Sequence, residues 1–264
     1  MSGGFAEARK PQEHEQTLAV EDALSPEKAL ATVRDLLVKA FAGRPIRIYE
    51  AGGGSLSVLP LDRFDSYTIS VVDVDEEQLR NNTYADEKIL GNIETYSFPP
   101  SSFDLIMCHN VIEHLEAADQ AIQKFHSALA PGGLVFISAP NPESFFGMIT
   151  KHTPHWFHVW VYRVIFRHKD AGLPGKHPFR TVFHPVVYPA EFQRYCVEAG
   201  FEIVYFKKFL SKNFHYMHQK RPVLGRLLGL AIEGLDILTL YKFPLLLGDY
   251  HAVLRKPAVA AVRS

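Results

Sequence analysis

Cysteine, long apolar runs and an excess of charge of one sign are all scarce or missing in this sequence. Its two cysteines, Cys108 and Cys196, lie far apart and lack the spacing of metal ligands, so neither a disulfide framework nor a cysteine zinc site is indicated. Lys and Arg number 28 against 29 Asp and Glu, which argues against a broad basic face for nucleic acid. We therefore expect a reduced, cytoplasmic protein without a nucleic-acid partner.

Apolar segments long enough to cross a bilayer are also missing. The nearest approach, residues 223–241, is interrupted by Arg226, Glu233 and Asp236, which disfavours a spanning helix. This segment could form core, a homodimer face or an interfacial helix that touches a membrane, and core or dimer packing is favoured. Residues 1–24 mix charges with small residues and lack an apolar signal-peptide region, so a flexible N-terminal tail is expected.

What the sequence does have is an alternation of strand-like and helix-like segments. Such alternation predicts an α/β fold with a parallel sheet and helices on both faces. Ser25-Pro26-Glu27 has the pattern of a helix N-cap followed by proline, and a later helix is predicted over Ala117–Ala130, ended by Pro131-Gly132-Gly133. The predicted strands are Ile46–Glu50, Tyr67–Asp73, Lys88–Leu90, Phe103–Cys108, Leu134–Ser138, Phe201–Phe206 and Leu247–Arg255.

A glycine cluster follows the first predicted strand. Gly52 and Gly54 allow a sharp turn close to a ligand, but Ser57 stands where a dinucleotide fingerprint has its third glycine, and no P-loop lysine follows. Glu50 would repel a pyrophosphate, whereas it suits the ammonium and sulfonium groups of S-adenosylmethionine, which has no phosphate. Asp73 ends the second strand and could accept hydrogen bonds from ribose hydroxyls. A purely structural glycine turn, NAD binding by Asp73 and a role for Asp73 at a helix N-terminus remain open.

Several motifs in order resemble the class I S-adenosylmethionine-dependent methyltransferases, in particular the subgroup of quinone, natural-product and lipid enzymes. The resemblance implies a Rossmann-like, seven-stranded, mostly parallel sheet with helices on both faces and an antiparallel last strand. It also implies one methyltransferase domain over 25–264, with an acceptor-binding insertion at about 143–187 and a helical insertion at about 211–242. The motifs that carry it are 48–55, 71–75, 91–94, 102–115, 130–135, 199–202 and 250–256.

The same resemblance implies S-adenosylmethionine as the cofactor and assigns residues to it. Glu50 would hold the methionine ammonium, Gly52 and Gly54 would let the chain approach the cofactor, and Asp73 would bind the ribose. The remaining cofactor residues are Asn92 and Ile93 beside the adenine and His109 beside the methionine and the acceptor.

One position departs from the relatives that methylate quinone-precursor catechols. They have a glutamate where this chain has Asn110, three residues before Glu113 and His114. A neutral amide weakens a magnesium site, because that ion favours carboxylate oxygens. We therefore expect no metal site.

The insertion at 143–187 is rich in aromatic, histidine and basic residues. His184 is the preferred general base, and His109 at the end of the fourth strand is the second catalytic candidate. The alternative for each histidine of the insertion is a structural role. The basic residues could hold an acidic group of the acceptor or form a solvated face. Besides His184, the histidines of this segment are His152, His155, His158, His168 and His177, and the basic residues are Arg163, Arg167, Lys169, Lys176 and Arg180.

These observations predict an S-adenosylmethionine-dependent methyltransferase that O-methylates a small-molecule or lipid-like acceptor. Two alternatives stay open: C- or N-methylation of a natural product or glycan, and a non-catalytic subunit that uses the fold to bind a partner. A nicotinamide-dependent reductase is disfavoured by Glu50 and Ser57.

Overall fold

One mixed sheet dominates the computed structural model, which describes residues 25–165, 167–173, 178–238 and 244–258. Within these ranges seven strands pair side by side in the order β3-β2-β1-β4-β5-β7-β6. The strands are β1 (Ile46–Ala51), β2 (Tyr67–Asp73), β3 (Glu87–Leu90), β4 (Phe103–His109), β5 (Leu129–Pro140), β6 (Glu202–Phe209) and β7 (Asp249–Arg255).

The pairing directions confirm the predicted fold class. Strands β1 to β5 run parallel, and β7 runs antiparallel to both of its neighbours, β5 and β6. The strand order reverses between β1 and β4, because the chain builds outward to β3 and then returns to the other side of β1. Open α/β sheets bind ligands at this point, beyond the carboxyl ends of the strands.

Helices cover both faces of the sheet, as expected from the alternating pattern. They are α1 (Pro26–Phe41), α2 (Glu76–Asn81), α3 (Ala118–Ala128), α4 (Phe145–His152), α5 (His155–Val164), α6 (Pro189–Glu198), α7 (Lys212–Lys220) and α8 (Pro222–Leu238). Short 3-10 turns lie at Leu61–Arg63, Ile112–His114 and Pro185–Val187. The first helix begins where the sequence predicts, since the Ser25 hydroxyl accepts a hydrogen bond from the Lys28 amide and Pro26 opens the helix.

Two apolar cores result, because successive strand residues point to opposite faces. On one face Leu37 of α1 packs in a cluster with Leu105 of β4. On the other, Phe125 of α3 and Phe192 of α6 share a cluster with Ile106, the next residue of β4.

The predicted end of the third helix is wrong. Helix α3 ends at Ala128, and Leu129 already pairs with Phe103, so the Pro-Gly-Gly turn lies inside β5. The helix is closed by a distant side chain rather than by glycine. The Lys256 ammonium donates to the carbonyl oxygens of His126 and Leu129, each at 2.8 Å. A cation at these carbonyls also complements the negative end of the helix dipole.

The two insertions pack against each other. The Phe146 ring of α4 lies 6.4 Å from that of Phe214 in α7, and the His168 ring stacks 6.2 Å from that of Tyr216. None of the helices in the described ranges combines the length and the apolar character needed to span a membrane.

Some sequence predictions fall outside the described residues. They are the tail at 1–24, the residues Lys176 and His177, and the ends of the segments 223–241 and 211–242 beyond residue 238. The interpretation of 223–241 as core is wrong for the described part of α8, in which only Gly225, Ile232 and Asp236 are buried.

Replacing Lys256 with methionine should lower the free energy of unfolding by about 1–3 kcal/mol, because partly buried carbonyls at the end of α3 and the start of β5 would lose charge-assisted hydrogen bonds. Urea denaturation followed by circular dichroism measures the change. The matched control is Lys39→Met, since Lys39 is an exposed lysine in the last turn of α1. Equal losses in the two variants would contradict a closing role for Lys256.

Candidate active site

The glycine turn lies at the carboxyl end of β1, beside the point where the strand order reverses. Gly52 and Gly54 have φ angles of +67° and +53°, which L side chains rarely adopt. A Cβ atom on Gly52 would lie 2.6 Å from Val111 Cγ2, and one on Gly54 would collide with the Gln78 side chain. The turn therefore requires glycine for its backbone conformation and for the close approach of its neighbours.

Glu50 lies beneath this turn with only 1% of its surface exposed. Its two carboxylate oxygens accept hydrogen bonds from the Ser57 hydroxyl and the Tyr84 hydroxyl. Burial raises the pKa of Glu50 to about 7, against the opposing effect of these two hydrogen bonds. The carboxylate faces the interior side of the turn, and each oxygen keeps a lone pair for a cation.

Ser57 and Tyr84 are site residues that sequence reasoning missed. In the sequence, Ser57 only marks the position where a dinucleotide fingerprint would have its third glycine. In the structure its hydroxyl donates a hydrogen bond to the carboxylate of Glu50. Tyr84 comes from the loop before β3, and its hydroxyl also lies 3.1 Å from the Gly53 carbonyl oxygen. No motif marks this tyrosine, because the contact joins residues 34 positions apart.

Asp73 at the end of β2 is bound directly to the glycine turn. Its Oδ2 accepts from the Gly54 amide and its Oδ1 from the Asp75 amide, both at 2.9 Å. The N-cap of α2 is Asp75, which accepts from the Gln78 amide at 3.0 Å. Since a carboxylate has about four acceptor sites, Asp73 retains capacity for two ribose hydroxyls.

The two residues expected beside adenine differ in their surroundings. Asn92 is exposed, and its side-chain oxygen accepts from the Glu94 amide at 2.8 Å. Ile93 is 5% exposed and belongs to the core cluster that includes Val72 of β2. Asn92 thus fixes the local turn, and Ile93 packs in the core beneath it.

His109 is the last residue of β4, the strand that pairs with β1. Its Nε2 atom is buried and has no hydrogen-bond partner among the described residues, and its ring lies 6.4 Å from that of His251. Burial, helped by the nearby Lys212, lowers the pKa of His109 to about 3. The imidazole is therefore neutral near pH 7, and its Nε2 atom is enclosed by the protein.

Asn110 adopts a left-handed conformation at φ +55°, and its side-chain oxygen accepts from the Ser138 hydroxyl at 3.0 Å. This contact turns the amide toward β5. The residue that replaces a glutamate of the catechol-methylating relatives is therefore part of the strand-end structure.

The following loop holds the first insertion in place. The Glu113 carbonyl oxygen accepts from the amides of Val182 and Phe183 at 2.9 and 3.2 Å, and His114 Nδ1 lies 2.7 Å from the Arg180 carbonyl oxygen. Glu113 is 4% exposed, and burial raises its pKa to about 8. Its carboxyl group is thus mostly protonated near pH 7.

His184 lies at the end of this anchored segment. Its Nδ1 accepts from the Val186 amide at 3.3 Å, and its Nε2 lies 3.7 Å from an oxygen of Asp119, in the first turn of α3. The structure thus brings Glu50, Asp73 and the glycine turn together, whereas His184 contacts the 3-10 turn and α3.

Comparison with known proteins shows what part of the chain resembles. Residues 50–137 match a family model described as a methyltransferase domain, and this span starts at Glu50 and contains Asp73 and His109. Over this third of its length the chain is similar to methyltransferases. The curated ubiquinone biosynthesis O-methyltransferase of Azoarcus sp. (strain BH72) is 23% identical over 173 residues, which are 62% of this chain and 66% of that protein. The chain thus spans just under two thirds of this relative.

Solved structures share the fold. A SAM-dependent methyltransferase from Archaeoglobus fulgidus aligns with a TM-score of 0.53 at 17% identity, covering 91% of this chain and 99% of that chain. The cyclase SpnF aligns with a TM-score of 0.52 at 15% identity, covering 86% and 80%. Because a cyclase shares the architecture, the fold alone does not decide the reaction.

Gly52→Ala should destabilise the protein more than Gly132→Ala. Both glycines have positive φ angles, +67° and +79°, so the backbone cost is similar, about 1 kcal/mol each. A Cβ at Gly132 meets nothing within 4 Å, whereas one at Gly52 meets Val111. We expect Gly52→Ala to cost about 1–3 kcal/mol more in urea denaturation.

A double variant separates the two effects at Gly52. If the collision with Val111 is responsible, Gly52→Ala combined with Val111→Ala should recover part of the additional loss. Equal stability of the Gly52 and Gly132 variants would show that the turn yields easily and would contradict the close-packed site.

Proposed function

We propose that the chain is an S-adenosylmethionine-dependent methyltransferase that methylates an oxygen of a small-molecule or lipid-like acceptor. The methyltransferase domain gives the reaction class. An O-methyltransferase among the similar proteins supports oxygen as the acceptor atom.

The observation that carries the cofactor assignment is the pair of carboxylates around the glycine turn. Glu50 lies under the turn, and Asp73 is hydrogen-bonded to the Gly54 amide. Asp73 thereby occupies an amide that a P-loop would direct at a phosphate, and the two acids disfavour a pyrophosphate. The residues fit a cationic, phosphate-free nucleoside.

S-adenosylmethionine, when bound, supplies an activated methyl group on a sulfonium. Glu50 would attract its ammonium, Asp73 would hold the ribose, and Asn92 and Ile93 would border the base. The chain's other task is to align the acceptor and exclude water. Neutral His109 would contribute a directed hydrogen bond beside the methionine end.

The segment at 143–187 would cover the acceptor, since the Glu113–His114 loop fixes it beside the end of β4. An oxygen acceptor loses a proton, and His184 is our candidate base. Its bond from the Val186 amide is long at 3.3 Å and therefore weak, so Nδ1 could exchange that donor for the acceptor proton. Asp119 near Nε2 would stabilise the resulting imidazolium.

Asp73→Ala should weaken binding of S-adenosylmethionine by about 1–3 kcal/mol, the usual cost of losing hydrogen bonds to a charged group. Isothermal titration calorimetry measures the affinity. Asp73→Asn, which keeps one acceptor oxygen, should lose less. The cofactor assignment fails if the wild-type protein gives heat with NADH but none with S-adenosylmethionine. Unchanged affinity of Asp73→Ala would remove Asp73 from the site.

His184→Ala should lower kcat with the true acceptor by about 10²-fold or more, because positioned bases contribute roughly that factor. KM for the cofactor should stay unchanged. His152→Ala, at an exposed histidine of the same insertion, is the control. If His184→Ala keeps full turnover but loses thermal stability, His184 is not the base and serves only to cap the 3-10 turn.

A further inference from the structure

The outer face of helix α8 is apolar and exposed. Its buried positions, Gly225, Ile232 and Asp236, fall on one side, so the helix turns the opposite side to solvent. Along that opposite side positions recur every three or four residues, with Gly234 as the one glycine, and none of them is charged. Its residues, with their exposed fractions, are Val223 (73%), Leu227 (63%), Leu230 (65%) and Leu238 (81%).

Helix α5 in the other insertion has the same property. Trp156, Trp160 and Val164 are spaced by four residues and are 69%, 49% and 52% exposed. Trp156 and Trp160 are the only tryptophans of the chain. The tryptophan ring, with its apolar body and polar N–H, suits the boundary between water and lipid.

Positive charge is concentrated in the two parts of the chain that contain these helices. Residues 145–180 and 211–242 together contain eleven Lys and Arg but three Asp and Glu, out of 28 and 29 in the chain. The rest of the chain therefore has 17 basic and 26 acidic residues. Among the basic residues, Arg163, Arg167, Arg221 and Arg226 are exposed. The two apolar faces thus belong to segments of the sequence with an excess of basic residues, whereas the rest of the sequence is acidic.

We propose that the outer surface of α5 and α8 docks on an anionic lipid bilayer. Exposed tryptophan and leucine would enter the interfacial layer, and the surrounding cations would meet acidic headgroups. A symmetric dimer through this surface would place like positive charges against each other, whereas an acidic bilayer compensates them. The inference goes beyond methyl transfer and does not depend on it.

Tryptophan fluorescence tests this directly, because both tryptophans lie on α5. Vesicles of phosphatidylcholine with 30% phosphatidylglycerol, a fraction chosen to give roughly the negative surface of an acidic leaflet, are added to the full chain without cofactor or acceptor. A blue shift of the emission, and quenching when brominated lipids are used, are expected. Pure phosphatidylcholine vesicles, or addition of about 0.5 M salt, should reduce the effect strongly. An unchanged spectrum with the acidic vesicles overturns the proposal.

Vesicle co-sedimentation provides the second measurement. Leu227→Gln combined with Leu230→Gln should lower the partition coefficient at least about tenfold, since buried apolar area contributes to binding. Val197→Gln, at a 58% exposed valine on α6, is the matched control and should leave it unchanged. Circular dichroism verifies folding of each variant.

The dimer is the outcome that would contradict docking. In that case light scattering finds a dimer that the double variant converts to monomer, and neither protein sediments with vesicles. Calorimetry with S-adenosylmethionine on the same samples keeps this result separate from the proposed activity, because cofactor binding requires neither surface.

Discussion

A single buried carboxylate organises the site. Glu50 lies one residue before the end of the central strand β1, and its two oxygens accept hydrogen bonds from the hydroxyl groups of Ser57 and Tyr84. These partners come from the loop after the glycine turn and from the loop before β3. The turn itself bonds to Asp73 through the Gly54 amide. The ends of β1 and β2 and the start of β3 are thus fixed around one acid, and the crevice keeps its shape through these bonds.

The electrostatics of the crevice follow from this burial. Burial raises the pKa of Glu50 to about 7, so its charge near pH 7 depends on the polarity and charge of the neighbouring groups. A cation would favour the ionised form, and an apolar neighbour would favour the protonated one. His109, also removed from water, is neutral near pH 7. The site thus combines a carboxyl group whose protonation responds to the bound molecule with a backbone turn held by the Asp73 hydrogen bond.

The sequence was sufficient for the elements whose signals are local. The N-cap at Ser25, the strand Tyr67–Asp73 and the glycine turn all follow from residues that are neighbours in the chain. The predicted end of α3 was wrong because the side chain that closes this helix, Lys256, lies more than 120 positions away in the sequence. The role of Tyr84 could not be predicted either, because its partner Glu50 lies 34 positions away in the sequence. The exposed face of α8 could not be separated from core by composition, since an apolar helix has the same pattern wherever it lies.

The position of β7 has a consequence for how the chain folds. This strand comes after all the others in the sequence, yet it lies between β5 and β6 and pairs with both. During synthesis, β5 and β6 leave the ribosome first, with backbone edges that have no proper neighbour until β7 emerges. Closure of the sheet is therefore a late event in biogenesis. Until then, the nascent protein depends on avoiding wrong pairing at those two edges.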